Sequence, residues 1–224
     1  MLGVFMYWLL YISFHFMRLI GWFRWRIEGV ERLPPRQAGG MIIAMNHVNW
    51  LDIPMIATML PFSYRLSWMG KAELFAHPVA DWWLRQMQVI PIRRGKRDVA
   101  AMDTVIAALR AGAVLLIFPE GTRSQSGVLQ TGRGGVVRMA MLAGVPIVPV
   151  AITGSEHGPK GTLLRRQVVI TIGEPYGIPA TPNGKIPPAL MDQRTNELML
   201  RIAALLPEER WGVYAPLLTD QAKG

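Results

Sequence analysis

Apolar and polar positions alternate in blocks along this chain, and the blocks define its elements. The first seventeen residues, MLGVFMYWLLYISFHFM, hold no acidic or basic side chain except His15, and Arg18, Arg24 and Arg26 follow. This pattern predicts a helix that lies in or dips into a bilayer with its basic flank at anionic headgroups, a full span being short at this length. The alternative is a core helix packed on the domain. A secretory signal is disfavoured, because no basic region precedes the apolar run and no small-residue cleavage site closes it.

WRIEGVERLPP then reads as a short strand ending in a turn at Pro34 and Pro35, and MIIAM (41–45) as a buried strand. IPMIATML continues as a helix until Pro61, YRLSWMGKAEL as a strand and turn, VADWWLRQM as a helix, and QVIPIRRG as a strand breaking into a basic loop. RDVAAMDTVIAALRAG is the clearest helix, with Asp98 as cap, an apolar stripe of Val99, Met102, Ile106 and Leu109, and Gly112 as stop. AVLLIF is a buried strand, PEGTRSQSG a polar loop and GGVVRMAMLAG a helix. VPIVPVAI reads as a strand interrupted by Pro149, QVVITIG as a further strand, and residues 187–206 as a late helix after a Pro/Gly-rich loop at 177–188. Strands that are continuously apolar and alternate with helices predict an α/β fold: a mixed, largely parallel central sheet covered by helices.

At 224 residues the chain suits one domain with an appendage. Hydrophobic residues make up 51% against 17% charged, at the upper edge for a soluble domain, and eight tryptophans favour a membrane interface. The formal charge of +9 favours anionic partners: phospholipid surfaces, phosphorylated small molecules, acyl carriers or nucleic acid. The arginines are dispersed without a nucleic-acid-binding pattern, so nucleic acid is not expected. No cysteine is present, which excludes thiol catalysis, disulfides and cysteine-ligated metals.

Chemistry concentrates at two junctions. In IIAMNHVNWLDIP, Asn46, His47, Asn49 and Asp52 fall within seven positions at the end of a buried strand. On one regular helix His47 and Asp52 would be about 140° apart. If the strand ends at Asn46 and a helix begins near Asn49, the two converge, and an aspartate on one imidazole nitrogen leaves the other as a base. The competing reading is structural: Asn49 caps the helix, Asp52 favours its dipole, and His47 bonds a loop carbonyl. His15, His77 and His157 form no metal-ligand spacing with His47, and no metal is expected. No Gly-x-Ser-x-Gly is present, so a base at His47 would act on a hydroxyl supplied by a substrate. The second junction, LLIFPEGTRS (115–124), carries Glu120, Gly121, Thr122 and Arg123 after a buried strand. Gly121 allows backbone N–H groups near an anion, Thr122 offers a hydroxyl and Arg123 a two-point phosphate contact; an ordinary turn with a Glu–Arg pair is the alternative.

Together, NHVNWLD and FPEGTRS resemble the signature blocks of the glycerolipid acyltransferases, most closely the bacterial 1-acyl-glycerol-3-phosphate acyltransferases, with support from VIPIRRG, VPIVPVAI and GKAEL over residues 25–215. Asn49 stands where many members have serine, and Arg93 where an acidic residue is frequent. The resemblance implies a membrane-anchoring segment at 1–24 and a catalytic domain at 25–224. It implies transfer of an acyl group from acyl-CoA or acyl carrier protein to a lysophospholipid, with no cofactor, on the cytoplasmic side of the cell membrane at an anionic lipid surface. His47 would be the base and Asp52 its orienting partner. Arg123 and Arg94, then Lys71, would hold the acceptor phosphate, and Glu120 would orient Arg123 or the glycerol hydroxyl. Arg93, Lys96 and Arg97 would bind headgroups or donor phosphates, or form a solvated loop. The acceptors glycerol 3-phosphate, lyso-ornithine lipid and glycolipid use the same chemistry, and a non-catalytic basic membrane-binding module is the rival of another class.

Overall fold

The computed structural model describes residues 2–93, 99–179 and 186–221, with side chains to 219. Its strands are β1 (Trp25–Glu28), β2 (Met41–Met45), β3 (Leu66–Lys71), β4 (Val89–Ile92), β5 (Val114–Ile117), β6 (Ile147–Thr153) and β7 (Val168–Ile172). They form one sheet in the order β1-β7-β6-β2-β5-β3-β4, parallel at every pairing except β6 with β7. The mixed, largely parallel α/β fold expected from the apolar blocks is therefore present.

The helices are α1 (Leu2–Leu19), α2 (Asp52–Met59), α3 (Pro78–Gln86), α4 (Val99–Arg110), α5 (Gly135–Ala143), α6 (Gly158–Leu163), α7 (Pro188–Ala203) and α8 (Ala215–Gln221). They divide the core in two. Ile42, Ala44, Leu115 and Ile117 face α4, α5 and α7, whereas Met41, Ile43, Met45 and Leu116 face α1 and α2. All five residues of β2 are buried, because both faces of this central strand are covered.

Several details depart from the sequence reading. β6 runs through Pro149 without a break. The Pro149 carbonyl accepts from the Gly173 N–H at 2.8 Å, just past the end of β7, so its missing N–H falls where that ladder runs out. In α4 the buried residues are Ala101, Val105, Ile106 and Leu109, while Val99 is exposed; the small Ala101 and β-branched Val105 shift the packed stripe, and Met102 is partly buried beside it. The proposed cap Asp98 lies outside the described residues. The late helix ends at Ala203, and α6 and α8 had no clear periodic signal because each is too short to show one.

The apolar N-terminal segment forms α1, which is tied to the domain along one narrow line. The Tyr7 hydroxyl donates to the Ala57 carbonyl of α2 at 2.5 Å, and the Arg65 guanidinium sits 5.3 Å from the Tyr7 ring centroid. Gly3 touches α3 so closely that a Cβ there would lie 2.6 Å from the Gln86 carbonyl oxygen, which requires glycine. The opposite side, including Phe5, Trp8, Leu9, Ile12 and Phe16, is exposed.

Asn46 extends the central sheet beyond β2. Its side-chain amide donates to the Ile152 carbonyl at 3.0 Å and its oxygen accepts the Ile152 N–H at 2.8 Å, both buried. Asn46→Ala leaves two backbone groups of β6 unpaired, and urea denaturation should show a loss of about 2–4 kcal/mol. A loss below about 0.5 kcal/mol would mean that these bonds do not hold β2 to β6.

Candidate functional site

The connections leaving β2 and β5, two adjacent parallel strands, pass to opposite faces of the sheet. β2 continues into α2 on one face and β5 leads to α5 on the other. The carboxyl ends of such a pair open into a crevice between diverging loops. His47 arrives on the β2 loop and Glu120 to Arg123 on the β5 loop, so the two sequence motifs meet there.

Asp52 organises the first loop. Its Oδ2 accepts from His47 Nδ1, the Val48 N–H and the Asn49 N–H, each at 2.8 Å. The carboxylate is fully buried and the imidazole is largely so. Accepting from Nδ1 places that proton and leaves Nε2 as the basic nitrogen. Asn49 does not cap α2: its side chain accepts from the Leu51 N–H at 3.1 Å, making a tight turn ahead of a helix whose N-cap, Leu51, has no side-chain bond. The turn takes the asparagine because Asp52 must face back towards His47.

The second loop closes over the first. Phe118 stacks on the His47 ring with centroids 3.7 Å apart and planes 13° from parallel. The His47 carbonyl accepts from the Ser124 N–H at 2.7 Å, and the His47 N–H donates to Glu120 Oε1 at 2.8 Å. Glu120 Oε2 accepts the Gln130 N–H at 3.0 Å. Both Glu120 oxygens are thus engaged by backbone donors in a buried position, and Glu120 makes no ion pair with Arg123. The expected orienting contact with Arg123 is therefore not formed: the buried carboxyl takes inward-facing backbone donors that the spacing of FPEGTR could not reveal.

Gly121 adopts φ 74°, where a side chain would be strained, and its N–H bonds the Phe118 carbonyl at 3.0 Å. That amide serves the turn itself, so the Thr122 and Arg123 amides remain as the donors this loop can offer. Thr122 and Arg123 are exposed and line a cavity of about 430 Å³ with Val48, Ser124, Gln125 and Glu156. Glu156 Oε1 accepts from Arg210 at 2.7 Å. Lys71 is exposed at the end of β3, which lies beyond β5 from β2, about 10 Å away at two strand spacings. Arg93 follows β4 at the same sheet edge, while Arg94, Lys96 and Arg97 lie outside the described residues. Phe118 as a ring support, Gln130, Glu156 and Arg133 were not singled out by sequence; the position of Phe118 just after a buried strand was the one available signal.

Burial is the main cause that pushes the Glu120 carboxyl up to about 7, with nearby Asp52 adding to it and the two backbone N–H bonds opposing it. The neutral acid is therefore favoured by folding. Its contribution is complete below the ordinary carboxyl value near 4.5 and disappears as pH rises through about 7. Glu120→Gln should accordingly abolish a fall in unfolding free energy of about 2–3 kcal/mol between those values, followed by urea denaturation across pH. Parallel profiles for the two proteins would show that Glu120 does not titrate this way.

A protein-family model described as Acyltransferase matches residues 24–153. The chain is 38% identical over 125 residues to the lyso-ornithine lipid O-acyltransferase of Pseudomonas aeruginosa, covering 55% of this chain and 46% of that protein. It is 30% identical over 151 residues to the 1-acyl-sn-glycerol-3-phosphate acyltransferase of Bacillus subtilis, covering 67% of this chain and 72% of the relative. In some of its relatives, as in the Pseudomonas protein, the matched stretch spans less than half the length. Among solved structures, the 1-acyl-sn-glycerophosphate (LPA) acyltransferase PlsC of Thermotoga maritima superposes with a TM-score of 0.61 at 26% identity, covering 82% of this chain and 71% of that one. Sequence, fold and the two motif loops agree: this chain is a member of the acyltransferase family that contains these lipid-modifying proteins.

Proposed function

We propose that the protein transfers a fatty acyl group from an acyl thioester, acyl-CoA or acyl-ACP, to the sn-2 hydroxyl of 1-acyl-glycerol-3-phosphate, making phosphatidic acid for phospholipid biosynthesis. The observation that carries this reading is the 2.8 Å bond from His47 Nδ1 to buried Asp52, which leaves Nε2 as a base one residue before Val48, itself in the wall of the cavity that holds Arg123. Family membership and the name of the Bacillus relative support the substrate class.

In this mechanism the hydroxyl oxygen attacks the thioester carbonyl as His47 Nε2 takes its proton. The tetrahedral intermediate then expels the thiolate, breaking the C–S bond, and the proton passes from His47 to the sulfur, yielding ester and free thiol. Asp52 keeps the ring in the working tautomer and stabilises the imidazolium, a contribution of roughly 10²- to 10⁴-fold for base catalysis. Arg123 binds the acceptor phosphate with the Thr122 amide and hydroxyl, and Lys71 and Arg94 are the further phosphate-binding candidates that the resemblance to the family names. Glu120 and Gly121 act by holding the loop.

The substrate is a lipid, and α1 supplies the contact with its membrane. We place α1 along the cytoplasmic interface of an anionic membrane, as a peripheral or monotopic anchor. Gly3 and Tyr7 tie its first turns to α3 and α2, and Tyr11 and Phe14 pack further along against Phe62 and Trp25, while Phe5, Trp8 and Phe16 are exposed.

One observation favours a second acceptor. The cavity with Arg123 also contains Glu156, whose Oε1 pairs with Arg210 and whose Oε2 is left to face an ammonium, a match for a headgroup bearing both carboxylate and ammonium, such as the lyso-ornithine lipid named for the Pseudomonas relative. A mass-spectrometric screen of lysolipid acceptors with one acyl thioester separates the two, and 1-acyl-glycerol-3-phosphate is expected to be the faster.

His47→Ala should leave a folded protein whose acyl transfer, followed by thiol release, falls to background. Turnover close to normal in that variant would remove His47 from the mechanism. Arg123→Ala should raise the acceptor KM by on the order of 10-fold or more with little change in the donor KM. Equal shifts in both would place Arg123 elsewhere.

A further inference from the structure

Two cavities flank Thr122, which lines both. The reading above gives the one with Arg123 to the acceptor. The other has a volume of about 620 Å³ and reaches Glu120, the residue that holds the His47 amide. Val128, Leu129 and Val213 form apolar wall, and Arg133 stands on the same lining.

Arg133 is held against the motif loop. Its N–H donates to the Pro119 carbonyl at 2.8 Å, and its side chain lies along Gly121, where a Cβ would fall 2.9 Å from Nε and 3.2 Å from Cζ. The missing side chain at Gly121 therefore makes room for this guanidinium as well as for the turn. Among the described residues no carboxylate pairs with Arg133. Glu120, in the same cavity, has both oxygens bonded to backbone N–H groups. Helix α5 begins two residues later with no side-chain cap, so its N-terminal dipole has the same sign as the guanidinium.

We propose that this second cavity admits the thioester donor, and that Arg133 binds the phosphate of the phosphopantetheine arm that carries the acyl group. The assignment rests on the acyl-transfer reading above. Two anionic substrates must meet at His47, and each cavity brings one exposed arginine to the shared wall. The arm joins a phosphate to a gem-dimethyl group and a chain of amides, a sequence that matches an arginine followed by valine and leucine walls. Coenzyme A and acyl carrier protein present the same arm, so a site that reads it serves either donor.

The test compares binding of 4′-phosphopantetheine and pantetheine by titration calorimetry to wild type, Arg133→Ala and Arg133→Lys, with thermal melts confirming the fold. Wild type should bind the phosphorylated compound on the order of 10-fold more tightly, Arg133→Ala should lose that difference, and Arg133→Lys should restore part of it. In steady state, Arg133→Ala should raise the KM of acyl-CoA and acyl-ACP alike while the lysophosphatidic acid KM stays unchanged. The proposal is overturned if wild type shows no phosphate-dependent binding or if Arg133→Ala keeps it. It is overturned equally if the acceptor KM moves instead, or if acyl-CoA alone suffers, which would put Arg133 on the nucleotide phosphates. A wild type that acylates no lysophospholipid, yet loses phosphopantetheine binding on Arg133→Ala, would refute the proposed function and leave this assignment standing.

Discussion

The site is built on one oxygen atom. Asp52 Oδ2 gathers a ring N–H and two consecutive backbone N–H groups, so the turn after β2 can close only with His47 folded back onto the carboxylate. Because Asp52 is fully buried, each of those donors would lose its partner, without water to replace it, if the carboxylate were removed. The same bonds therefore shape the loop and orient the imidazole. A structural reading of Asp52 and a chemical one are two consequences of a single interaction.

That arrangement needs a second loop from a distant part of the chain. Phe118 covers the ring, Ser124 holds the His47 carbonyl, and Glu120 holds its N–H. Glu120 is the expensive element, since burial raises its pKa to about 7 and its proton occupancy changes near neutrality. A buried carboxyl that bridges His47 to Gln130 makes the position of the imidazole depend on the β5 loop. The parallel pairing of β2 with β5, Ile42 with Leu115 through Ala44 with Ile117, sets the level at which the loops meet.

On the opposite side of the design, α1 trades burial for exposure. Tyr7 and Gly3 are the buried residues of an 18-residue apolar helix, and the exposed remainder is a larger apolar surface than a protein surrounded by water usually keeps. An enzyme whose proposed acceptor is dissolved in a bilayer needs its crevice near that surface. In the proposed function, a helix strapped along the domain would hold body and membrane in a fixed relation.

By itself the sequence determined the alternation of strands and helices, because continuous apolar runs such as MIIAM and AVLLIF leave no other way to bury both faces of a sheet. It also determined which residue types gather at the two junctions, since polar clusters interrupting those runs are local and visible. The family resemblance linked the two junctions and named Lys71 and the arginines. Only the tertiary structure decided where the partners lie. Nothing in the spacing of FPEGTR shows that Glu120 turns inward to His47 and Gln130, that Asn49 serves a turn in place of capping a helix, or that Arg133 rests on Gly121. Each of these depends on strand order and on desolvation at contacts between residues far apart in the chain, and periodicity carries no record of either.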